Sequence, residues 1–211
     1  MVKFLLLIVV FGIAAEGRGQ TAERSAHFRV VHPQTVDARD ATYVLDLVER
    51  NRTELLERIA NAGLDVHLPN LDLIFNSTTG DFVARTGMPP WAAAATAKNK
   101  IELQPLQLLK QRHILESTLR HELAHALIDS LSNNQTPRWL AEGLAAYLAG
   151  EGKLLERYAS NTADTERLLT APKSLAEMRT AYANAYVLVR ELIRAHGEPD
   201  VWKRLAQRQF N

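Results

Sequence analysis

Residues 120–130 read RHELAHALIDS, and residues 136–147 read TPRWLAEGLAAY. Around the first stretch, apolar residues fall at 114, 115, 119, 123, 124, 127, 128 and 131, the spacing of a buried helical face. The helix predicted over 114–131 carries His121 and His125 four residues apart, so their rings stand one turn apart on the same side. Both can aim a ring nitrogen at one point. Glu122 is turned about 100° from His121, which sets its carboxylate beside that point rather than on it. This is the H-E-x-x-H pattern, in which two imidazoles hold zinc and the carboxylate takes a proton from a water.

The second stretch supplies what the first lacks. Thr136 reads as an N-cap with Pro137 at the first helical position, opening a helix to about Leu148. Two consecutive helices joined by a short loop pack antiparallel, so their facing sides meet. Trp139, Glu142 and Ala146 share one face of the second helix. A carboxylate among Trp, Leu and Ala is costly to bury as a charge unless a partner meets it. A doubly charged ion held by two neutral imidazoles is such a partner, making Glu142 the expected third ligand.

HELAHALID followed by PRWLAEGLAAY resembles the gluzincin zinc metallopeptidases, and most closely their peptidase MA-like branch. The resemblance implies a zincin-like fold, Zn2+ as cofactor and a peptide or protein as substrate. It implies His121, His125 and Glu142 as metal ligands, with Gly143 completing the glutamate–glycine pair and Glu122 as general base. It extends more loosely over the LDLIF segment at 71–75, the IEL segment at 101–103 and AYANAYVLVRELIRAHG at 181–197, which is similar to the family's tyrosine-bearing helix. The chain departs from the thermolysin-like members at Ala146, where they carry an aspartate that orients a ligand histidine. Asp129, one turn beyond His125, is a candidate for that orienting role, with a helix-surface role as its alternative.

Three protein ligands with one open position describe a catalytic zinc, whereas structural sites are closed. The expected reaction is hydrolysis of a peptide bond, more in the manner of an endopeptidase than an exopeptidase. The tetrahedral oxyanion needs a donor besides the metal. Tyr182 and Tyr186 are the candidates, one turn apart on the same side, and the resemblance favours Tyr182. Packing on the metal helix is the competing role for each. Tyr147, His113 and His196 are further options, and Arg120 and Arg138 read as surface charges. A non-catalytic metal-binding scaffold of the cell envelope is the alternative function; retention of Glu122 argues against it, because a scaffold needs ligands but no base.

Residues 1–19 differ from the rest. Lys3 is followed by an apolar run from Phe4 to Ala15 and then by small residues. About a dozen apolar residues cannot span a hydrocarbon core that takes roughly 20, so the layout is that of a secretory signal peptide. A secreted or periplasmic location follows as the expectation, with no stable membrane insertion after cleavage; an uncleaved membrane anchor is the alternative. The mature chain, 20–211, is expected to be a single catalytic domain. No cysteine occurs, which removes a disulfide framework, a thiolate metal site and a cysteine nucleophile together. Lys and Arg number 25 against 24 Asp and Glu, so charge does not point to a nucleic-acid partner.

The remaining periodicities predict a strand at 27–32, a helix over 37–62 closed by Gly63, a strand at 71–75 and a short helix over 81–86. A hairpin is expected to pair 93–97 with 100–103 across Lys98-Asn99, with Lys100–Leu103 as the edge along which an extended peptide pairs. Ser174 and Glu177 predict a capping box for a helix ending at His196 and Gly197, and a last short helix follows over 199–209. The sum is α+β: a small N-terminal sheet with helices, then a helical half carrying the H-E-x-x-H helix.

Overall fold

The computed structural model describes residues 19–210. The signal-peptide expectation falls on residues that lie, but for Gly19, outside them. Five strands and nine α-helices are formed among the described residues, giving the expected α+β class. Contacts group them into two compact units, one of residues 19–49 together with 69–115, the other of 50–68 and 116–210. No helix among the described residues is long and apolar enough to cross a membrane.

The first unit is built on one sheet. Its strands are β1 (Gln20–Arg24), β2 (Phe28–Pro33), β3 (Leu71–Phe75), β4 (Ala94–Ala97) and β5 (Lys100–Leu103), in spatial order β1-β2-β3-β5-β4. β2, β3 and β5 run parallel to one another, while β1 and β4 are antiparallel additions at the two edges. The three central strands bury most of their residues, all but Arg29 in β2, Asp72 in β3 and Lys100 in β5. Val30, Leu73, Phe75, Ile101 and Leu103 are wholly buried. Helix α1 (Ala38–Asn61) follows β2 and is shared by the two units. Gly63 closes it at φ 74°, a left-handed conformation that an L side chain resists.

The hairpin forms as its sequence predicts, but the edge assignment is overturned. β5 pairs with β3 on one side and β4 on the other, so its backbone groups are spent and Ile101 is fully buried. On this side of the sheet the free edge belongs to β4. A two-residue hairpin places its strands side by side without saying which is outermost; the parallel pairing of β5 with β3 decides it. β1 was not evident in the sequence, because QTAER has no apolar alternation. It is a strand by virtue of pairing with β2, from Gln20↔Pro33 to Arg24↔Arg29. Short helices α2 (Thr79–Thr86) and α3 (Leu106–Gln111) complete this unit. α2 carries a full capping box, Thr78 with Asp81.

The second unit is helical: α4 (Leu115–Ser132), α5 (Arg138–Leu148), α6 (Gly152–Leu155), α7 (Thr165–Thr170), α8 (Leu175–His196) and α9 (Glu198–Ala206). α5 begins one residue later than expected. Pro137, at ψ 141°, is the cap rather than the first helical residue, and the buried Thr136 hydroxyl makes no hydrogen bond. Ser174 caps α8 by accepting from the Glu177 backbone N–H. The Glu177 carboxylate accepts from Lys173 N instead of closing the box on Ser174. Leu168, Leu169, Ala181 and Ala185 form a buried cluster onto which Trp139 and Tyr182 pack.

Candidate metal centre

α4 and α5 present their polar residues to one another inside otherwise apolar surroundings. His121 and Glu142 are buried, on helices whose other buried residues are mainly Leu and Ala. The i, i+4 spacing brings the two ring Nε2 atoms of His121 and His125 to 3.1 Å. Glu142 Oε2 lies 3.3 Å from His125 Nε2 and 3.5 Å from His121 Nε2. That oxygen is buried and makes no hydrogen bond of acceptable geometry. Its nearest polar neighbours are the two ring nitrogens, and a cation at the centre of the three atoms would meet all of them. All three donor atoms lie within 4.8 Å of one another, close enough to hold an ion.

The glutamate–glycine pair has a packing reason. A β-carbon on Gly143 would overlap the Ala185 carbonyl oxygen and the Val189 side chain. Only a residue without one lets α5 lie this close to α8, and that approach is what carries Glu142 to the histidines.

Electrostatics follow from burial and neighbours. Burial alone would lower the His121 pKa, but the Glu142 and Glu151 carboxylates outweigh it and push the ring up to about 10. Burial would likewise raise Glu142, yet the two imidazoles hold its carboxyl well below the usual range.

Tyr182 is the tyrosine brought to this cluster. Its ring stacks on His121 with centroids 6.2 Å apart and planes inclined by 30°. Burial, reinforced by the negative charge of Glu142, raises its phenol well above the ordinary value, so the hydroxyl keeps its hydrogen. Tyr186 goes elsewhere: its hydroxyl occupies the space a β-carbon would take on Gly152. The Tyr147 phenol is raised by burial and by Glu198, a residue that pairs with Arg58. His113 and His196 are exposed and do not belong to the cluster. Glu122 is half-buried on the same helix, and its charge acts on both His121 and Tyr182.

No protein-family model matches the chain, and no curated protein is similar enough in sequence to be counted a relative.

The two arginines are not equivalent. Arg120, expected as a surface charge, is half-buried: its Nε donates to the Leu148 carbonyl at 2.7 Å and its Nη1 to Asn51 and Glu54, tying α4 to the end of α5 and to α1. Arg138 is half-exposed, with Nε 3.7 Å from Glu142 Oε1. Sequence reasoning missed Glu151, whose Oε2 lies 3.2 Å from His121 Nδ1. Its distance along the chain from either motif left no periodic signal. Asp129, the candidate from the sequence, is exposed as a residue; burial of its carboxyl raises the pKa against the opposing charge of His125.

Proposed function

We propose that the protein is a zinc-dependent metallopeptidase of the gluzincin type with a zincin-like fold, exported from the cytoplasm and acting on peptides or proteins. The observation that carries this reading is the orphaned Glu142 Oε2 between the two Nε2 atoms. Bonds of 2.0–2.1 Å to a tetrahedral ion put neighbouring ligand atoms about 3.3 Å apart; the three separations, 3.1, 3.3 and 3.5 Å, bracket that value. Two imidazoles and a carboxylate, with no sulfur, are the donor set of a hydrolytic zinc rather than a structural one.

His121, His125 and Glu142 would hold the ion, which when bound supplies Lewis acidity to a water and to the scissile carbonyl. The Glu122 carboxylate accepts the proton that the attacking water loses as its oxygen bonds the carbonyl carbon. It then delivers that proton to the departing amine nitrogen as the carbon–nitrogen bond breaks. The Tyr182 hydroxyl, kept protonated by its buried and negatively charged surroundings, donates to the oxyanion that develops. Trp139 and the apolar cluster beneath Tyr182 exclude water from one side of the ring.

The test is metal analysis of purified protein beside hydrolysis of a mixed peptide library, with Glu122→Gln as the comparison. Stoichiometric zinc and Glu122-dependent cleavage are expected. A wild type loaded with zinc that cuts no peptide would replace the enzyme reading by that of a metal-binding scaffold.

A further inference from the structure

We infer that Glu151 is the residue that positions His121 for metal binding, and that the turn Gly150-Glu151-Gly152 exists to deliver it. The inference rests on the metal-site reading above.

The His121 ring has two nitrogens and both are engaged. Nε2 faces the cluster, 3.1 Å from His125 Nε2 and 3.5 Å from Glu142 Oε2. Nδ1 faces away from it, 3.2 Å from Glu151 Oε2. A carboxylate accepts and does not donate, so the hydrogen of a neutral ring sits on Nδ1, and Nε2 is left with its lone pair towards the metal. The carboxylate thereby selects the ligating tautomer, fixes the rotation of the ring and makes Nε2 a stronger donor. The His121 side chain is 10% exposed and that of Glu151 24%, so water competes little for Nδ1.

The backbone shows how a residue nine positions beyond Glu142 reaches this place. Gly150 N donates to Tyr147 O and Glu151 N to Ala146 O, the paired bonds of a Schellman motif ending α5. Gly150 takes φ 73°, as the residue after such a cap must. The chain is thus folded back over the last turn of α5, and Glu151 sits in a fixed place rather than on a free loop. Gly152 follows because the Tyr186 hydroxyl fills the volume of any β-carbon there. Ala146, one turn beyond Glu142, cannot supply a carboxylate; its carbonyl instead anchors the residue that does.

The experiment measures zinc affinity by chelator competition, and the absorption spectrum of the cobalt(II)-loaded protein, for wild type, Glu151→Gln and Glu151→Ala. Circular dichroism checks each fold. Glu151→Ala is expected to bind zinc about 10–100-fold more weakly and to show an altered cobalt spectrum. Glu151→Gln keeps an accepting oxygen, and is expected to recover part of the loss. In the zinc-loaded wild type, nitrogen-15 spectra of the ring should show His121 ligated through Nε2 with its hydrogen on Nδ1. That measurement decides the matter even if Glu151→Ala does not fold. A folded Glu151→Ala protein with wild-type zinc affinity and cobalt spectrum overturns the inference alone, as does ligation through Nδ1. A wild type that takes up no zinc overturns the metal-site reading and this inference together.

Discussion

Gly143 and Ala185 approach so closely that α5 and α8 have no room for a side chain between them. The contact is with a backbone carbonyl oxygen, which cannot swing aside as a flexible side chain would. Gly143→Ala is therefore expected to cost about 1–3 kcal/mol, the usual penalty of overpacking, although alanine favours helix more than glycine does. The shift should also move Glu142, so zinc affinity should fall with the melting temperature. Thermal unfolding and chelator competition on the same variant check both; a stabilised protein would remove the packing explanation of the glutamate–glycine pair.

Glu122→Gln separates binding from chemistry. The ligand set is intact in this variant, so zinc content should match wild type. Peptide hydrolysis should fall by about 10²–10⁴-fold, the range for removal of a general base. Equal activity in the two proteins would assign the proton transfer to another group.

Tyr182→Phe and Tyr186→Phe are expected to differ. Tyr182 stacks on His121, whereas the Tyr186 hydroxyl lies against Gly152. Loss of the Tyr182 hydroxyl should lower kcat by about 10²-fold with KM nearly unchanged, as for one oxyanion donor. Tyr186→Phe should leave kcat within a small factor. The reverse order would transfer the role to Tyr186.

Acid stability has a local origin in the sheet. Arg29 grips Asp72 with two bonds, Nε to Oδ1 at 3.0 Å and Nη2 to Oδ2 at 2.6 Å. The guanidinium holds the Asp72 carboxyl below its ordinary value of 3.8, against the opposing effect of burial. A carboxyl depressed on folding stabilises the native state fully above its unfolded pKa, and that contribution is lost as pH falls through the folded value. Asp72→Asn should cost about 1 kcal/mol near neutrality, discounted for partial exposure, and nothing at strongly acidic pH. Urea midpoints measured from pH 7 down to pH 2 should converge for the two proteins; a constant gap would exclude the linkage.

The sequence by itself determined those features that spacing along one element encodes. His121 and His125 four residues apart in a helix must share a face, and an apolar run such as LDLIF makes a strand buried on both sides. Gly63 and Gly197 ended their helices as expected, because each takes a positive φ, which glycine adopts more readily than any other residue. Glu142 was legible because a lone carboxylate among apolar residues demands a partner. Tertiary structure alone decided which strand lies outermost, since hairpin spacing is the same whether β4 or β5 is interior and only the pairing of β5 with β3 distinguishes them. β1 depended likewise on its neighbour and not on its own composition. Among the tyrosines, the choice fell to the rotation of α8 against α5, fixed where Gly143 meets Ala185. Glu151 was invisible for the same reason: a turn brings its carboxylate to His121 Nδ1, and no periodicity along the chain records a contact made across thirty residues.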